Sequence, residues 1–116
     1  SYESYLAQPK EVQDFLSSLP AVWDETRYVS GYPGESVVLA RRSGDNWFIA
    51  GINGSDESRT LDTDLSFIEK PATINMISDT AASQWEIKTT DVLPTSVVCQ
   101  PRGGFVIVAT TCSTSK

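Results

Sequence analysis

The chain has 116 residues, which at ~100–200 residues per domain is one domain, or one domain with a short appendage, and too few for a (β/α)8 barrel of ~250 residues. Nine Lys and Arg against fifteen Asp and Glu leave a net charge of −6, a surface that repels phosphate backbones and anionic lipid, so neither nucleic acid nor membrane is an expected partner. Histidine is absent, which removes Ser-His-Asp and Cys-His catalysis and the imidazole metal sites. Two Cys permit one disulfide at most and make no zinc pattern. Met76 is the lone Met, so Ser1 is read as a cut, with any targeting signal upstream. No apolar stretch reaches the ~18 residues that span a membrane.

In chain order, residues 9–19 carry Val12, Phe15, Leu16 and Leu19 at the i, i+3, i+4, i+7 spacing of one helix face. Pro9 suits the first turn, and Ser17-Ser18 before Pro20 ends the run. This predicts a short amphipathic helix whose stripe packs either on the domain that follows or on protein outside it.

From Trp23 onward the period drops to 2, and turn residues recur at the ~8–12-residue spacing of an all-β sandwich. The runs are 25–29, 36–42, 47–53, 60–67, 73–77, 84–92, 96–100 and 105–110, separated by turns rich in Gly, Pro, Ser and Asp. No long helix separates them, so parallel βαβ units are not expected. The predicted fold is therefore all-β, an antiparallel β-sandwich of about eight strands with a short N-terminal amphipathic helix. A two-residue turn at Gly44-Asp45 sets Arg42 opposite Trp47 and Arg41 opposite Phe48, with Arg42 a cation–π neighbour of Trp47. A second hairpin, turning at Arg102-Gly103 or one residue later, sets Cys99 opposite Val106 or Val108. Cys112 is then too distant to bridge, which predicts free thiols.

Glycosidase chemistry needs two carboxyl groups ~5–9.5 Å apart facing one sugar. Asp24 and Glu25 are adjacent in an extended run and point to opposite faces. Asp62 and Asp64 share a face, but Leu61, Thr63, Leu65 and Phe67 alternate with them, the pattern of a half-buried strand with a wet side. Asp56, Glu57, Asp62 and Asp64 lack EF-hand spacing and read as a solvated turn. Gly103-Gly104 is not followed by a helix and is no phosphate cradle. No catalytic or metal-binding residue is therefore expected. Trp47, Trp85, Tyr28 and Tyr32 are candidate sugar contacts, since aromatic faces stack on pyranose rings, but Trp is as readily a core residue.

Pro20-Ala21-Val22-Trp23-Asp24-Glu25-Thr26-Arg27, then Gly34-Glu35-Ser36-Val37-Val38-Leu39-Ala40-Arg41-Arg42-Ser43-Gly44-Asp45-Asn46-Trp47-Phe48-Ile49-Ala50-Gly51, Arg59-Thr60-Leu61, Asp64-Leu65-Ser66-Phe67 and Pro101-Arg102-Gly103-Gly104-Phe105 resemble the C-terminal domain of glycoside hydrolase family 97. The resemblance implies a bacterial enzyme, α-glucosidase or α-galactosidase, with an N-terminal β-sandwich, a catalytic (β/α)8 barrel holding calcium at its active site, and this C-terminal β-sandwich as a structural or oligomerisation module. It implies that residues 1–20 are a linker and helix from the end of the barrel, that 21–116 are the accessory domain, and that the domain itself holds no cofactor. It also implies a periplasmic or secreted protein. The expected partners are then the preceding barrel and a second copy of the enzyme, with Val12, Phe15, Leu16 and Trp23 the candidate inter-domain contacts. An independent carbohydrate-binding module is the alternative.

Overall fold

A computed structural model describes residues 2–81 and 84–111. Its elements in chain order are β1 (Tyr2–Leu6), α1 (Pro9–Ser17), β2 (Glu25–Tyr32), β3 (Ser36–Ser43), β4 (Asn46–Asn53), β5 (Arg59–Asp62), β6 (Pro71–Asp79), β7 (Trp85–Thr90), β8 (Ser96–Cys99) and β9 (Gly104–Thr111). Seven strands form one antiparallel sheet in the order β1-β7-β6-β9-β4-β3-β2, and β5-β8 form a second. The all-β sandwich is as the alternating pattern predicts, with one strand more.

That extra strand is β1. It pairs with β7 along its whole length, so the segment ahead of Pro20 contributes an edge of the sheet as well as a helix. Glu3-Ser4-Tyr5-Leu6 shows no clean alternation, and an edge strand buried on neither side needs none. In α1, Pro9 occupies the first turn and the Glu11 carboxylate accepts the Gln8 N–H at 2.8 Å, one arm of a capping box.

Val38, Ala40, Ile49, Ile107 and Ala109 are fully buried on one face of the large sheet, closed over by Leu61, Leu65, Ile68, Val97 and Cys99 from β5, β8 and their loops. The run expected at 60–67 is a ladder strand only through Asp62, because Thr63 turns its N–H to the Thr95 carbonyl and its hydroxyl to the Pro94 carbonyl. The inward positions still hold: Leu61, Thr63 and Leu65 are buried and Asp62, Asp64 and Ser66 exposed. Asn53 is fully buried, and its side-chain amide donates to the Glu57 and Gln100 carbonyls while its carbonyl accepts the Ser55 N–H. One side chain thus fastens the loop after β4 to the end of β8.

The β3–β4 hairpin has the expected register, Arg42 opposite Trp47 and Arg41 opposite Phe48, and Gly44 takes φ +60 in the first central position of its turn. The second expected hairpin is absent. β8 pairs with β5, placing Cys99 opposite Arg59, and Gln100-Pro101-Arg102-Gly103 carries the chain from the small sheet to the large one. Pro101 at the first corner and Arg102 at φ +60 fit a type II turn that redirects the strand without folding it back on itself. Cys99 is a free thiol, and burial with the Asp79 carboxylate pushes it up to about 11. Cys112 lies outside the described residues.

The opposite, outer face of the large sheet carries an apolar row of its own. Tyr5, Ile87, Ile77, Val106, Ala50, Leu39 and Tyr28 stand directly opposite one another, one per strand, from edge to edge. Since β1 and β2 are the two edges, the chain between them crosses six strand spacings, roughly 29 Å. Its later part, Leu19 and Trp23, lies against Leu39, Arg41, Phe48, Ala50 and Val106 around a cleft of about 220 Å³.

Candidate functional site

Four of the six acids weighed for chemistry, Asp24, Glu25, Asp56 and Glu57, are held by arginines. Asp24 precedes β2, so strand alternation does not govern it. Contrary to the expected divergence, Asp24 and Glu25 converge on Arg42, at 3.6 and 3.3 Å. Arg42 is thereby drawn to two anionic partners, and among the described contacts its expected stacking on Trp47 is replaced by these ion pairs. Glu25 also accepts from Arg27 at 2.7 Å, and the two arginines hold its carboxyl below the usual range, Arg27 first. Glu35 and Glu57 flank Arg59 at 3.1 and 3.0 Å, and Asp56 pairs with Arg102 at 2.8 Å. Asp64 caps the Ser66 N–H and hydroxyl, which lowers its pKa. Among the described residues no group of three acidic or Cys side chains could hold a metal ion.

Two aromatic stacks, one per face, show why the Trp residues are placed as they are. On the inner face Arg27 lies 4.6 Å over the Phe67 ring, and Phe67 meets Trp47 edge-on at 5.1 Å. On the outer face Arg41 lies 5.8 Å over Trp23, and Trp23 meets Phe48 edge-on at 5.2 Å. Trp47 is 7% exposed, which corrects its place among the candidate sugar contacts: its ring faces belong to the core. Trp85 is half-buried on β7, five strand spacings from β2.

Tyr28 and Tyr32 are 67% and 71% exposed. Four residues apart on one strand they would share a face, but a bulge between Tyr28 and Ser30 shifts the register. Tyr28 therefore stands beside Leu39 on the outer face, and Tyr32 beside Ser36 on the inner one. The four aromatic candidates make no single platform.

The candidate inter-domain residues lie along the crossing segment. Val12, Phe15 and Trp23 are half-buried and Leu16 is 55% exposed. Val22, Tyr28 and Ile52, at 77, 67 and 59%, extend this apolar surface. Sequence reading missed Val22 and Ile52 and marked Tyr28 only as a sugar contact; the signal that could have found Ile52 is the unbroken apolar run Trp47-Phe48-Ile49-Ala50-Gly51-Ile52, which marks a strand apolar on both faces.

The family model for the glycosyl-hydrolase 97 C-terminal, oligomerisation domain matches residues 22–110. The chain is similar to a probable retaining alpha-galactosidase of Streptomyces bingchenggensis, 59% identical over 49 residues, covering 42% of this chain and 8% of that protein. It is similar also to a retaining alpha-galactosidase of Bacteroides thetaiotaomicron, 37% identical over 65 residues, covering 56% and 10%. Among solved structures, a beta-arabinopyranosidase superposes with a TM-score of 0.77 at 35% identity over 86% of this chain and 16% of that one. A glycoside hydrolase family 97 enzyme from Pseudoalteromonas sp. strain K8 in complex with panose shares the fold, with a TM-score of 0.74 at 18% identity over 90% and 19%. The chain spans about a tenth of the curated relatives it matches. With the family model covering residues 22–110 of a sandwich of this fold, the chain belongs to the glycosyl-hydrolase 97 C-terminal, oligomerisation family.

Proposed function

We propose that the chain is a non-catalytic assembly domain of a longer retaining α-galactosidase, and that the outer face of its large sheet is where it meets the rest of that enzyme or a second copy of it. The carrying observation is the two-sided apolar character of β3, β4 and β9, whose outer residues are left open around Trp23 and Ile52. Continuous apolar strands are the pattern of sheets covered on both faces, and a patch centred on aromatic and aliphatic side chains is the usual make-up of an interface core. The names of two relatives favour α-galactosides over α-glucosides. A calcium-holding (β/α)8 barrel in the longer protein and a periplasmic or secreted location belong to the same proposal.

The test is to produce the longer protein alongside this chain and assay both on a nitrophenyl α-galactoside. Hydrolysis by the longer protein alone is the expected result; turnover by the pure 116-residue chain would end the reading. In the longer protein, Ile52→Glu should change the assembly state seen by sedimentation or detach the domain under limited proteolysis.

A further inference from the structure

We infer that the crevice beside Tyr32 is a binding subsite for a neutral pyranoside. It is an open hollow of about 410 Å³ lined by Tyr32, Glu35, Ser36, Arg59, Thr60 and Leu61, within the ~300–1,000 Å³ of small-molecule sites. It lies on the inner side of the β2 edge, away from the outer face assigned to assembly.

Its parts are held before any ligand arrives. Tyr32 opens a tight turn in which the Glu35 N–H donates to the Tyr32 carbonyl at 2.9 Å, Pro33 supplies the fixed first corner and Gly34 the second at φ +73. The Gly54 N–H donates to the Glu35 carbonyl at 2.7 Å and ties this turn to the loop after β4. Arg59 is fixed by Nε on Glu35 and Nη1 on Glu57, bonds that raise its already high pKa. Neither bond uses Nη2 of Arg59 or Oε2 of Glu35, and both residues retain about a third of their side-chain exposure.

The chemistry selects the ligand. One guanidinium between two carboxylates leaves a local charge of −1, which disfavours anions. The rim of hydroxyls, guanidinium and carboxylate suits a molecule offering both donors and acceptors, and the exposed Tyr ring suits one with a flat C–H face. A sugar ring has all of these properties. A preformed site with one aromatic contact predicts affinity on the order of millimolar.

The experiment follows amide shifts of the 116-residue chain by NMR during titration with methyl α-galactoside and, separately, maltose. The choice of galactoside rests on the proposed activity of the longer protein. Saturable shifts at Tyr32, Glu35 and Arg59 are expected, weakened about tenfold or more in Tyr32→Ala and retained in Tyr32→Phe and in Tyr28→Ala. Silence with both sugars, or shifts that survive Tyr32→Ala, overturns the subsite. Shifts with maltose alone support the subsite and count against the α-galactosidase reading. Hydrolysis of galactosides by the longer protein with a silent crevice rejects the subsite and leaves that reading standing.

Discussion

The two faces of the seven-stranded sheet are made from alternate residues of the same strands, yet they end in different states. On the inner face Ala40, Ile49 and Ile107 are opposite one another and have no exposure. One residue along, Leu39, Ala50 and Val106 are equally apolar and equally aligned, but half-buried or exposed. Each face carries an arginine over an aromatic pair, Arg27–Phe67–Trp47 inside and Arg41–Trp23–Phe48 outside. The difference lies in the cover. β5, β8 and the 63–68 loop close the inner face, whereas a single crossing segment spans the outer one. An apolar pattern therefore states that a face wants burial, and the remaining chain decides how far it is granted.

That comparison can be broken by trimming equivalent aromatics on the two faces. Trp47→Ala should cost about 3–5 kcal/mol of unfolding free energy in urea, the range for a large buried ring, because Phe67 and the inner core lose their partner. Trp23→Ala should cost only about 1–2 kcal/mol, since the ring is half-buried, yet should alter assembly of the longer protein more than Trp47→Ala does at matched stability. Equal costs at the two positions would mean that the outer face is as much a core as the inner one.

The smallest expected effect concerns the charge that anchors the inner stack. Glu25, held by Arg27 and Arg42, has a folded pKa below its ordinary 4.5. Its stabilisation is present above pH 4.5 and is lost as pH falls through the lower folded value. Glu25→Gln should therefore lower neutral-pH stability slightly and flatten the acid limb by that same small amount, measured by urea midpoints, so that the two proteins converge at low pH; the effect is small because the ion pairs are solvent-accessible. An unchanged acid slope would remove Glu25 from the account.

Much of the fold was legible in the chain. Gly44-Asp45 between two alternating runs fixed the β3–β4 register to the residue, because a two-residue turn leaves the flanking strands one pairing. The alternation of Leu61, Thr63 and Leu65 identified inward positions even where no ladder forms. Misreadings fell where partners come from far along the chain. Cys99 pairs with Arg59, not across a local turn. Asp24 and Glu25 find Arg42, and Arg42 thereby leaves Trp47. The Tyr32 crevice joins β2, its turn and β5 across 24 residues, from Glu35 to Arg59, a separation no local motif records.

Local physics, namely hydrophobic period and turn geometry, was enough to indicate an antiparallel β-sandwich. Which strand lies beside which, and which apolar face stays open, were decided by tertiary structure. Two sheet faces that both carry aligned apolar residues compete for one small second sheet and one crossing segment, and only three-dimensional closure determines which of them is sealed.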